Sequence, residues 1–137
     1  TNAAKEKDCM MPHYILYQIT MPNSQFTDQT LLDIRVDCMM LKQDNAQKRV
    51  AAAAACDLYT PSAVVIADDL EEAFDVGNGY GRKVNSDLIP FRKHPSMSVG
   101  DVLVDLVGNK AYACCSYGWQ PIIFKTGAID TSNVRVA

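Results

Sequence analysis

A chain of 137 residues with 48% hydrophobic and 21% charged side chains can bury a core as one domain, without a metal or disulfide staple. Its net charge of −3 argues against a sequence-independent nucleic-acid binder, which needs a basic surface, and is too small for a carboxylate mimic of DNA. No apolar run approaches the roughly 20 residues that span a bilayer.

Residues 1–12, TNAAKEKDCMMP, have no apolar stretch behind their lysines, so they read as a polar flexible tail rather than a signal peptide. Residues 13–137 read as one α+β domain. HYILYQITM, bounded by Pro12 and Pro22, is rich in β-formers and predicts a first strand. LLDIRVDCMML is ambiguous: Ile34, Val36 and Cys38 alternate as in a strand, while Leu31, Leu32, Arg35 and Met39 suit a helix, and the first half leans to a strand. DNAQKRVAAAAACDLY carries a capping Asp or Asn ahead of the best helix former, and its alanines suit a helix packed closely on a sheet. PSAVVIA predicts a short buried strand. DDLEEAFDVGNG predicts a short helix capped by Asp68 or Asp69, with acids in its first turn and Gly77 or Gly79 at its end.

Residues 79–93, GYGRKVNSDLIPFRK, read as a long glycine-rich basic connection of the kind that often carries function. SVGDVLVDLV and KAYACCSYGWQPIIF then read as two strands turning at Gly108-Asn109, with TGAIDTSNVRVA as an edge strand or tail. The sum is a mainly antiparallel sheet with two helices packed on one face and a C-terminal β-hairpin.

Candidate chemistry is sparse. GNGYGR follows a helix and opens a loop, whereas a dinucleotide cradle follows a strand and opens a helix, so it reads as a helix end. Asp68, Asp69, Glu71 and Glu72 compensate a helix dipole more simply than they hold a cation. The five cysteines, Cys9, Cys38, Cys56, Cys114 and Cys115, contain no C-x-x-C pair and read as free thiols of a reducing cytosol. Cys114 or Cys115 with His94 or His13 is the one candidate for a nucleophile and base. On a strand, however, one cysteine faces the core and the other the opposite side, as inert small hydrophobes do. No catalytic residue, cofactor or metal ligand is assigned.

The surface residues say more. Tyr80, Arg82, Lys83, Phe91, Arg92, Lys93 and His94 interleave aromatic and basic side chains, and Tyr117 and Trp119 stand close together near the end of the chain. Such residues anchor protein interfaces; they also stack on single-stranded nucleic acid, the less favoured partner here. An ordinary solvated loop is the competing reading of the basic segment.

SMSVGDVLVD followed by AYACCSYGWQPI resembles a C-terminal module of small phage and plasmid proteins and of YodL-like domains. The DLEEAF helix ending in Gly-Asn and the strand from Tyr14 to Asn23 also fit that group, so the likeness covers three patches and about half the chain. CSYG stands where the module often has an acid before the aromatic-glycine pair. The resemblance implies a mobile-element accessory protein, and it brings no catalytic residues. The expectation is a non-enzymatic protein of the bacterial host's cytoplasm that binds a host or phage protein, for example as an inhibitor of a host enzyme or defence complex. A structural, virion-associated or self-assembling protein is the alternative. Within the motif, Ser96 and Ser98 are expected to set a turn, Gly100 to permit a bend, and Asp101 to accept backbone N–H groups.

Overall fold

Alternation of Tyr14, Leu16 and Gln18 with Ile15, Tyr17 and Ile19 makes strand β1 (His13–Ile19) apolar on both sides, as a central strand must be. The computed structural model describes residues 12–20, 27–79 and 86–132 and places β1 in the middle of a six-stranded, wholly antiparallel sheet. The other strands are β2 (Tyr59–Ile66), β3 (Asp87–Pro90), β4 (Val102–Asp105), β5 (Lys110–Cys114) and β6 (Trp119–Ile122), in the spatial order β3-β2-β1-β4-β5-β6. The expected tail lies almost wholly outside the described residues.

Three helices accompany the sheet: α1 (Gln29–Cys38), α2 (Ala46–Ala55) and α3 (Leu70–Gly77). Helix α1 replaces the strand suggested for LLDIRVDCMML. Asp28 caps it, its side chain accepting from Leu31 N at 3.2 Å, and Leu31, Ile34 and Cys38 then fall on one helical face against the core. The Ile34/Val36/Cys38 alternation is incidental to that face, since Val36 is exposed. Helix α2 buries only Ala46, Val50 and Ala53, so its alanine run packs along one stripe, the other alanines facing outwards or lying at its margin. Helix α3 begins as expected, with Asp69 accepting from Glu72 N at 2.9 Å.

The architecture is α+β, as the sequence suggests, and two helices do share one face, α1 and α2. Helix α3, expected in the same layer as α2, packs on the opposite face with Tyr14, Leu16, Val65, Met97 and Leu103. The α1/α2 side holds the larger core, centred on Phe124, whose ring meets Tyr17 and Tyr59 edge-on at 5.1 and 5.2 Å. With both faces covered, the neighbouring Cys114 and Cys115 are both buried.

Two local features shape the site. Residues 79–93 are not all loop: Asp87–Pro90 form the edge strand β3 against β2. Within β2, the pairing with β1 slips at Ser62, because Pro61 has no N–H to offer a ladder; the resulting bulge leaves Ser62 free for the segment after β3. The hairpin of β4 and β5 turns where expected, with Asn109 at φ 52°, but KAYACCSYGWQPIIF, expected as one strand, bends at Ser116–Gly118, where Gly118 takes φ 69°, and folds back as the separate antiparallel strands β5 and β6. Ahead of it, Gly100 takes φ 98°, and a Cβ there would stand 2.5 Å from the Cys38 carbonyl oxygen. Gly100→Ala is therefore expected to destabilise the fold by about 2 kcal/mol or more, from the left-handed backbone and the backbone clash together. Urea unfolding of the variant measures it, and a loss under about 0.5 kcal/mol would contradict the close approach.

Candidate functional site

One end of the sheet, where β1 finishes at Ile19 opposite Tyr59, gathers the described residues of the aromatic and basic set, Phe91 to His94, Tyr117 and Trp119. Strand β3 runs towards this end and delivers Phe91 to His94; β5 and β6 meet here and deliver Tyr117 and Trp119. The connection from Pro95 to Asp101 crosses between them. The two groups lie on opposite edges, five strand spacings apart, on the order of 24 Å. Tyr80, Arg82 and Lys83 lie outside the described residues.

At the β3 edge, Phe91 N donates to Ser62 O at 2.9 Å and the Arg92 guanidinium to Ser62 Oγ at 3.2 Å, so the bulge in β2 fixes this segment. Phe91 is 54% exposed, Lys93 is exposed, and half-buried His94 donates from Nδ1 to Pro95 O at 2.8 Å. At the β6 edge, the bend at Ser116–Gly118 is tied to the α1–α2 connection. Ser116 donates to Leu41 O from N at 2.9 Å and from Oγ at 3.1 Å, and the Gln43 amide donates to Tyr117 O. This leaves Tyr117 86% exposed on a held backbone. Gly118, at φ 69°, turns the chain so that Trp119 lies half-buried and edge-on to Phe74 of α3 at 6.3 Å. Trp119 forms one wall of a groove of about 440 Å³ shared with Glu71, Phe74, Asp75, Cys114 and Ser116, while Tyr117 stands clear of it.

Between the two edges lies a smaller cavity of about 230 Å³, bounded by Gln18, Arg35, Cys38, Pro95, Ser98 and Asp101. Asp101 is almost fully buried. Its carboxylate accepts from Gln18 Nε2 and Ser98 N, both at 3.0 Å, and its backbone pairs with Cys114. The same Gln18 amide reaches Pro95 O at 3.2 Å, and the Tyr59 hydroxyl donates to Gly100 O at 2.7 Å. Asp101 accepts backbone N–H as its motif suggests, but it is the Ser98 backbone, with the Gln18 side chain, that sets the turn. Gln18 was invisible as a partner because 83 residues separate it from Asp101.

Burial governs titration here. Desolvation raises Asp101 to about 6, against the lowering effects of its Gln18 and Ser98 hydrogen bonds and of nearby His94. Desolvation also raises Cys114 to about 12, Cys38 to about 11, and Cys115 above the ordinary thiol value, which keeps these thiols protonated at neutral pH. Among the described residues, no three His, Cys, Asp or Glu side chains gather as a metal centre, and no helix is long and apolar enough to cross a membrane.

No family model matches the chain, and neither the curated proteins nor the solved structures contain a match to it.

Two outcomes follow from these environments. A carboxyl raised in the folded state adds stability at low pH, and that stability is lost as pH rises from about 4 through about 6. The wild-type chain is expected to lose about 2 kcal/mol more than Asp101→Asn between pH 4 and 7. Urea midpoints across that range test it, and parallel pH curves for the two proteins would refute it. Iodoacetamide at neutral pH is expected to label exposed Cys56 quickly, and Cys38, Cys114 and Cys115 only as the chain unfolds. Rapid labelling of Cys114 or Cys115 in the native protein, read by peptide mass mapping, would contradict their burial.

Proposed function

We propose that this is a phage or mobile-element accessory protein that works by binding a host or phage protein in the bacterial cytoplasm, without catalysis of its own. Inhibition of a host enzyme or defence complex is its most concrete form. The observation that carries the reading is the pair of exposed aromatics, Tyr117 at 86% and Phe91 at 54%, held on tied backbone at one end of the sheet. Aromatic and arginine side chains that stand out from a rigid frame lose little entropy on binding and dominate interface energetics.

The separation of the two groups suits one partner. A standard interface covers about 800 Å² per side, roughly 30 Å across, so a single protein can reach both Phe91–His94 and the Tyr117–Trp119 edge. Arg92, Lys93 and His94 give the β3 side a basic character, which favours an acidic patch on the partner there. The likeness to mobile-element proteins supports the biological setting.

The alternative, self-assembly or a virion role, draws on the outer edge of β3, which pairs with no other strand among the described residues and where Ile89 is 47% exposed. Pro90 at that edge limits strand addition.

Affinity capture from infected or host lysate, with wild type beside Tyr117→Ala and a Phe91→Ala, Arg92→Ala double variant, tests the reading. A specific partner is expected, with each variant weakening capture about tenfold or more while its circular dichroism stays native. Capture equal to wild type in both variants would sink it. A closed oligomer of the free chain by light scattering, disrupted by Ile89→Arg, would favour self-assembly instead.

A further inference from the structure

The groove at the β6 edge has a chemistry of its own. Glu71 and Asp75 stand one helical turn apart on α3, both exposed, with Phe74 between them in sequence and Trp119 across from them. Neither carboxylate makes a hydrogen bond or ion pair among the described residues. Among the described residues no basic side chain lines the groove, and the Cys114 and Cys115 thiols in its wall are held neutral. Among the described residues the groove therefore combines two aromatic rings with two carboxylates that no cation offsets, and its volume lies within the about 300–1,000 Å³ typical of binding pockets.

A side chain that answers all of this is long, apolar along its stem and cationic at its head. Lysine and arginine stems lie along aromatic surface, their charged heads interact with ring faces, and carboxylates at the rim supply the counter-charge. An acidic segment would meet Glu71 and Asp75 as like charges, and an apolar one would leave both facing it unpaired. We infer that this groove receives a basic segment of the partner protein, with a Lys or Arg side chain laid across Trp119 between Glu71 and Asp75. The inference rests on the partner-binding reading above and adds the chemistry of the partner at this edge. Because the β3 edge is basic, the matching partner carries opposite charges at two places on the order of 24 Å apart, which fixes its orientation.

Trp119 is the single tryptophan of the chain, so its emission reports on the groove directly. The probes are a short amidated peptide of Lys, Arg and Leu and the same peptide with Glu in place of every cation. The basic peptide is expected to give a saturable change in Trp119 emission that weakens as salt rises from about 0.05 to 0.5 M, and the acidic peptide none. The exposed pair Glu71→Gln, Asp75→Asn is expected to weaken the basic peptide about tenfold with an unchanged circular dichroism spectrum. No saturable response, an equal response to the acidic peptide, or unchanged affinity in the double variant would overturn the inference. So would a concentration-dependent emission change of the free chain that Arg92→Glu, Lys93→Glu abolishes, since that assigns the groove to a second copy. Captured partner that depends on Tyr117 and Arg92 but not on Glu71 and Asp75 would end this inference alone; capture indifferent to all four would end the wider reading too.

Discussion

Asp101 is a buried carboxyl group immediately before β4, and the hydrogen bond it accepts from Gln18 of the central strand β1 ties the crossing connection to the sheet. Three more bonds converge within a residue or two: Ser98 N to the carboxylate, Cys114 N to the Asp101 carbonyl, and the Tyr59 hydroxyl to Gly100 O. Tyr59 in turn packs on Phe124 in the larger core. The connection that separates the two exposed groups is therefore anchored to β1, β2 and β5 together. Buried polar groups in low dielectric are costly when unpaired, so a network of this kind holds one geometry strongly once it forms.

That geometry has consequences for the surface. A flexible connection would leave Phe91–His94 and the Tyr117 bend independent of each other. Held at both ends, it makes them two parts of one face with a defined spacing. On the β3 side the anchor is the Ser62 bulge, itself a result of placing Pro61 in an interior strand. On the β6 side it is the Leu41 carbonyl, which accepts two bonds from Ser116. A bulge on one side and a tied bend on the other are thus what positions the exposed aromatics.

The SVGDV stretch is accounted for by folding rather than by chemistry. Gly100 is needed for its positive φ and for the approach of the Cys38 carbonyl; Asp101 is needed as an acceptor for groups that would otherwise be buried unpaired. The vicinal cysteines are explained by the same frame. A sheet covered on both faces buries both of them, and desolvation keeps both neutral.

Local chemistry determined much of this protein from its sequence alone. The β1, β2 and β4 strands, the Asp69-capped helix and the Asn109 turn are all set by caps, turn residues and alternation within a few positions, and all can be read there; the bend that divides residues 110–124 into β5 and β6 cannot, because the Ser116 and Gln43 bonds that hold it reach across to the α1–α2 connection. Helix α1 could not be, because Ile34, Val36 and Cys38 satisfy two periodicities at once and only packing against α2 and the sheet selects the helical one. Strand β3 could not be either: four residues with a terminal proline carry little propensity, and pairing with β2 makes them a strand. The aromatic and basic residues were legible as a surface set, but not their division between two edges, nor Trp119 against Phe74, nor Gln18 against Asp101. Those are contacts between residues tens of positions apart, fixed by the order of strands in the sheet, and strand order is decided by which faces must be buried together rather than by any local run of residues.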